Sequence, residues 1–286
     1  MVGMRRRVRW QTRPVADDQA RAAPHPLVAR LRAAGCVFAE EEAAQLRARF
    51  PVGADLESAV RRRERGTPLE HVLGFAVFAG VRVAVDPGVF VPRRRAEPLV
   101  DLSVTAARAA PHPLVVDLGC GSGAIAAAVA ARLADATVAA VDHDPAAAAC
   151  ARRNGAEHGF EVHTGDWFEG LPGVHRGRVD VAVAYLPHVP TAALGELSAD
   201  YRAAEPLGTV CGGADGMDPL RAVLGQAPRW LRAGGVVVTM SAAGQEAGVR
   251  TVSAGRGWRR RTLVDDDVFY VLSRPDPGPP GAGQPD

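Results

Sequence analysis

Apolar positions recur along this chain with two different periods, and the change of period divides it. From Leu27 to about Arg65 the spacing is helical. Leu27, Leu31 and Ala34 share a face, Gly35 supplies a stop, and a second helix runs from Glu40 to Phe50. This predicts a small bundle of two or three short helices. The period then falls to two: residues 75–78 and 81–85 alternate around Ala79-Gly80, which predicts a β-hairpin, and Asp86-Pro87-Gly88 is a turn signal.

From Leu99 onward short apolar runs alternate with helical stretches. Strands are expected at 114–118, 138–141, 160–163, 179–184 and 236–240, and helices at 124–133, 146–158 and 217–231. Residues 262–266 and 268–272 would close the sheet as an antiparallel pair. Repeated βα units predict an α/β fold with a Rossmann-like, doubly wound, mostly parallel sheet. The expected organisation is a disordered Arg-rich tail (1–24), a small helical domain (25–66), a β-hairpin linker (67–98), the α/β domain (99–274) and a disordered Pro/Gly tail (275–286).

Composition sharpens this picture only in part. With 286 residues, 47% of them hydrophobic, the chain can bury one large core and a small one. A net charge of +2 gives no strong field, so no direct nucleic-acid partner follows. The chain uses Arg and no Lys; the runs Arg61–Arg63 and Arg93–Arg95 read as solvated faces. Cys36, Cys120, Cys150 and Cys211 show no paired spacing, which argues against a metal centre and a disulfide framework. No apolar run reaches the roughly 18 residues of a membrane span. The expectation is a soluble, cytoplasmic monomer that does not bind membranes.

The chemistry concentrates in two stretches. In "VVDLGCGSGAIAAAVA" a strand ends at Asp117-Leu118, and Gly119, Cys120, Gly121, Ser122 and Gly123 lead into a helix. Glycines here let the backbone turn sharply and let a ligand lie against the main chain. Asp142, at the tip of the next strand, is placed to accept both ribose hydroxyls of an adenosine. Gly119-x-Gly121-x-x-Ala124 also matches a dinucleotide fingerprint, so a nicotinamide-dependent oxidoreductase competes. Three features favour S-adenosylmethionine. Asp117 can meet an amino-acid moiety; in "TGDW" Asp166 can take the adenine amino group and Trp167 can cover the ring; and the chain closes with an antiparallel pair.

The second stretch is "VDVAVAYLPHVPTAAL". A buried strand stops at Tyr185-Leu186-Pro187-His188, and neither Pro187 nor Pro190 has an N–H to give a ladder. A rigid loop at the tip of such a strand is where open α/β sheets place active sites. Tyr185, Leu186, Pro187 and His188 are therefore the candidate catalytic residues, with Tyr185 also facing the cofactor.

These motifs resemble the protein-(glutamine N5) methyltransferases that modify peptide-chain release factors, over about Leu27 to Arg274. "DLGCGSGAIA" and "DWFEGL" are close to the family pattern, and "CGGADGM" resembles its GGxDGL stretch. In "VDPGVFVPRRRAEPLV", Pro92, Arg93 and Glu97 match the family's PRxxTE, with Ala96 where Thr is usual. The resemblance implies S-adenosylmethionine-dependent methylation of a release-factor glutamine; the helical domain, separate in sequence from every cofactor motif, is expected to dock the protein. The acceptor loop departs from it: the family carries Asn-Pro-Pro-Tyr where this chain has Tyr185-Leu186-Pro187-His188. In the family, the Asn side chain and the next carbonyl accept the substrate's amide N–H bonds, and the Tyr packs the substrate. Three readings follow here: glutamine bound differently, another nucleophile with His188 as general base, or a cofactor-binding protein that docks a partner with weak or lost catalysis.

Overall fold

The computed structural model describes residues 25–197, 206–264 and 267–274. The expected tails, residues 1–24 and 275–286, lie outside them.

The helical stretch folds as α1 (Pro26–Ala33), α2 (Ala39–Arg49) and α3 (Ala54–Glu64), followed by a short α4 (Leu69–Leu73) that the periodicity did not reveal. Leu31, Leu46 and Val60 are fully buried between them. Arg30 binds both Glu57 and Glu64, and Arg63 binds Glu42, so charges at the helix faces pair within the bundle. The bundle's apolar cluster includes Val72 and Leu73 and takes in Phe75, so its packing runs past residue 66.

The hairpin is β1 (Phe75–Phe78) and β2 (Val81–Ala84). Phe78 pairs with Val81 across Ala79 and Gly80, whose φ values are 47° and 87°. Two consecutive left-handed residues give the turn whose twist suits a two-residue hairpin loop. An extended segment then leads into α5 (Glu97–Ala107), where Pro98 occupies the first turn, a position that needs no N–H.

The large sheet is built from β3 (Leu114–Leu118), β4 (Thr137–Asp142), β5 (Glu161–Thr164), β6 (Val179–Ala184), β7 (Leu231–Ser241), β8 (Arg259–Val264) and β9 (Val268–Ser273). Its order is β5-β4-β3-β6-β7-β9-β8. The strands from β5 to β7 are parallel, and β9 runs antiparallel between β7 and β8. Every residue of β3 and of β6 is buried, as the continuous apolar runs required. Helices α6 (Ala124–Ala130) and α7 (Pro145–His158) follow β3 and β4; α8 (Asp218–Gln226) and α9 (Glu246–Ala254) flank β7. One apolar cluster lies between the sheet and α5 and α6, and a second between the sheet and α8 and α9.

Two helices are shorter than their apolar pattern implied. The first ends at Ala130 rather than Leu133. The expected helix to Leu231 stops at Gln226, and a 3-10 turn at Ala227–Arg229 carries Pro228. Leu231 instead pairs with Val179 and opens β7, so an apolar residue assigned to a helix face belongs to the sheet.

Candidate active site

The order of strands reverses between β3 and β6, and the loops that leave both carboxyl ends meet in one cleft of about 530 Å³. On one wall stand Asp117, Gly119, Cys120, Gly121, Ser122, Asp142 and Trp167; on the other, Tyr185, Leu186, Pro187 and His188. The two stretches singled out in the sequence are thus brought together.

The glycine loop is fixed by its own backbone. Gly119 N and Cys120 N both donate to Val141 O, at 2.8 and 3.0 Å, which ties the loop to β4. Asp142 reaches back across the strand gap. Its Oδ2 accepts from Gly121 N at 2.8 Å and its Oδ1 from Asp144 N at 2.9 Å. Gly119 has φ 70°, and a Cβ there would stand 3.1 Å from the Trp167 ring. Trp167 itself takes a left-handed φ of 49°, which turns its indole into the cleft wall.

Gly123 and Asp166 do not line the cleft. Gly123 starts α6 with φ 77°, and a Cβ would meet Phe160 at 2.7 Å, so its glycine serves the packing of helix on strand. Asp166 is exposed and precedes the 3-10 turn Trp167–Gly170; its carbonyl accepts from Glu169 N.

Asp117 is the most unusual group. It is 1% exposed; one oxygen accepts from Ala126 N at 3.1 Å, and the other has no hydrogen-bond partner among the described residues. Burial pushes its pKa up to about 7, and the neighbouring Asp142 charge acts in the same direction. Burial also raises Asp142 and the Cys120 thiol. A cationic ligand group beside Asp117 would satisfy the stranded oxygen, and the cleft wall of glycines leaves room for a chain of atoms along it. These residues fit S-adenosylmethionine, whose methionine ammonium would face Asp117 and whose ribose would face Asp142.

The loop after β6 is tied down by hydrogen bonds. Val189 N donates to Val210 O, Gly212 N to Val189 O and Thr191 N to Gly213 O, at 2.8–2.9 Å. Gln245 Nε2 donates to His188 O at 2.6 Å. The stretch Gly212-Gly213-Ala214-Asp215-Gly216 lies under the loop, and its glycines are required by close approach. A Cβ on Gly212 would sit 2.8 Å from His188 Cα, and one on Gly216 2.3 Å from His188 O. His188 Nδ1 lies 2.9 Å from Leu186 O. Tyr185 packs edge-on against Phe90 at 5.9 Å and tilted against His188 at 6.1 Å.

The segment before α5 completes the wall with Phe90, Pro92, Arg93 and Arg95. The arginine run read as a solvated face in fact divides. Arg93 lies over the Phe90 ring, and Arg95 pairs with buried Asp267 from the turn between β8 and β9. The resemblance of this segment to the family pattern was the signal that could have placed it in the site. Outside the cleft, Glu161, His163 and His175 hold one ligating atom each within 4.8 Å of one another, a grouping that cysteine spacing could not reveal.

Sheet order, glycine loop and the acid at the tip of β4 define a class I, S-adenosylmethionine-dependent methyltransferase, and a methyltransferase-domain family model matches residues 115–207. Relatives carry the assignment further. The release factor glutamine methyltransferase of Gloeobacter violaceus is 40% identical over 189 residues, 65% of this chain and 65% of that one. That of Corynebacterium glutamicum is 38% identical over 218 residues, 74% and 77% of the two chains. The chain belongs to the release factor glutamine methyltransferase family. It spans 65% and 64% of the length of the Gloeobacter violaceus and Geobacter sulfurreducens relatives. Among solved structures, a methyltransferase from Pyrococcus furiosus aligns with TM-score 0.48 at 16% identity, over 68% of this chain and 88% of that one.

Proposed function

We propose that this protein transfers a methyl group from S-adenosylmethionine to a side-chain nitrogen of a peptide-chain release factor, the N5 of a glutamine. The observation that carries the reading is the facing of two loops: a glycine loop with a stranded acid, and across one cleft a rigid loop of polar tips on the neighbouring strand. S-adenosylmethionine would supply an electrophilic methyl on a sulfonium. The chain's own task is to orient the acceptor nitrogen and exclude water, and positioning of that kind supplies several kcal/mol. Asp117, Asp142, Trp167 and the glycine loop would hold the cofactor, and Tyr185 to His188 the acceptor.

The test is a purified release factor incubated with the protein and cofactor. A gain of one methyl group on a glutamine is expected. Methylation of a different residue type would support a second reading, favoured by Tyr185 and His188 standing where the family has Asn and Tyr: transfer to another nucleophile. No gain, with cofactor still bound, would support a partner-docking role instead.

The helical bundle takes the role of docking the protein substrate in this reading. A chain beginning at Thr67 is expected to bind cofactor and lose the protein acceptor. Loss of cofactor binding by a folded remainder would overturn that division. The division puts the substrate contact on the chain as a monomer. No described helix is long and apolar enough to cross a membrane.

A further inference from the structure

We infer that His188 is the proton acceptor of this site, its Nδ1–H held by the Leu186 carbonyl and its Nε2 lone pair presented to the nitrogen being methylated. The inference rests on the reading of the cleft as a nitrogen methyl-transfer site.

The hydrogen bond fixes the tautomer. A carbonyl oxygen only accepts, so the Nδ1 that lies 2.9 Å from Leu186 O must carry a hydrogen. A neutral imidazole has one N–H, which leaves Nε2 bare. Nε2 makes no hydrogen bond to a described residue, and His188 lines the cleft. The Leu186 carbonyl holds the ring through Nδ1, and Gln245 holds the backbone carbonyl of His188.

The surroundings keep the ring neutral. Burial lowers its pKa below the ordinary 6.5, and Arg95 acts in the same direction; the Leu186 carbonyl and Asp267 oppose them. Tyr185 stands beside the ring, and Gln245 reaches the loop with a neutral amide. Near neutral pH the group is therefore a base with its lone pair available.

This gives the loop a chemistry that an asparagine lacks. An amide oxygen can accept an N–H bond but is too weak a base to remove the proton, whereas imidazole can remove it. Leu186 O uses one lone pair on His188 and keeps the other. Leu186 O and His188 Nε2 together can meet both N–H bonds of a primary amide. The acceptor nitrogen forms its bond to the methyl carbon as the carbon–sulfur bond breaks, with that pair left on sulfur. The nitrogen keeps the electron pair of its N–H bond as the proton passes to Nε2. One positive charge leaves sulfur and one appears on the imidazolium, which returns its proton to water.

Two measurements test this, and they fail separately. Nitrogen-15 NMR of the full chain with labelled histidine reads the His188 tautomer with or without S-adenosylmethionine. A proton on Nδ1 and a bare Nε2 are expected, and a proton on Nε2 would overturn the inference whatever the substrate proves to be. Single-turnover methylation of full-length release factor, with S-adenosylmethionine saturating at every pH, is then compared across pH. The wild-type rate should fall about tenfold per pH unit below the His188 pKa. His188→Gln, which keeps an acceptor but cannot take the proton, should be slower by on the order of a hundredfold and lose that limb, with cofactor affinity within about twofold. An unchanged rate, or the same acid limb in His188→Gln, would sink the role. If wild type leaves the release factor unmodified, the substrate reading fails, and the tautomer still decides the fate of His188.

Discussion

Asn154 satisfies both backbone groups of Ala84. Its Oδ1 accepts from Ala84 N at 2.8 Å, and its Nδ2 donates to Ala84 O at 2.9 Å. The same amide nitrogen donates to Ser122 O in the glycine loop at 2.8 Å. One side chain on α7 therefore closes the open edge of the hairpin strand β2 and steadies the cofactor loop.

Asn154→Ala should strand Ala84 N and Ser122 O and leave Ala84 O with the Cys150 thiol alone, and each stranded group costs about 1 kcal/mol or more when buried and unpaired. A stability loss of about 2–4 kcal/mol is expected in urea unfolding, with weakened cofactor binding. A loss under about 0.5 kcal/mol would show that water replaces the amide without cost.

Asp142 carries a double duty. It holds Gly121 N and Asp144 N, and it faces the cleft where a ribose would lie. Asp142→Ala should weaken S-adenosylmethionine binding by about 2 kcal/mol, roughly thirtyfold, since charge-assisted hydrogen bonds are lost. Calorimetry on the folded variant decides it, and unchanged affinity would remove Asp142 from the cofactor site.

Asp117 should make both stability and cofactor binding depend on pH. Its folded pKa of about 7 lies above the ordinary 3.8, so the folded state holds the proton more tightly than the unfolded chain does. Its contribution to stability is fully present below about pH 4, and it is lost as pH rises through about 7. Cofactor binding runs the other way. An ammonium favours the carboxylate, so affinity should rise from about pH 6 to about pH 7.5 and flatten, with proton release on the acid side. Calorimetry in buffers of different ionisation enthalpy reads the proton directly. Asp117→Asn should bind weakly and without this slope; a slope retained in that variant would place the titrating group elsewhere.

Gly216 has φ 79°, and a side chain there would press on the His188 carbonyl. Gly216→Ala should displace the acceptor loop and slow methyl transfer at least about tenfold, while strain lowers stability by about 1–3 kcal/mol. Cofactor affinity should hold, because the glycine loop lies on another strand. Equal losses in binding and transfer would mean that the two loops do not act separately.

The cofactor wall was legible because its signals are local. A strand, three glycines and a helix follow one another between Leu114 and Ala130, and Asp142 marks the tip of the next strand. The end of β6 and the loop that follows it were legible through Pro187 and Pro190, which forbid a ladder. What escaped depends on distance in the chain. Arg95 and Asp267, 172 residues apart, meet at the cleft, and no period or turn residue announces such a pair. Trp167 lines the cleft while its neighbour Asp166 does not, and Trp167 takes a backbone angle rare outside glycine that its sequence did not announce. Leu231 misled because an apolar residue after Pro228 suits a helix face and a strand equally well.

The pairing of β3 with β6 fixes more than a cleft. Val115, Val116 and Asp117 lie in register with Val181, Ala182 and Val183, and neighbouring strands stand about 4.8 Å apart. In the proposed reaction the donor's loop leaves one of these strands and the acceptor's loop the other, so the gap a methyl group would cross is gauged by the ladder itself. On the proposed reading, the Tyr185-Leu186-Pro187-His188 loop could change which nucleophile is welcomed, while the line of attack would stay written in the backbone of the sheet.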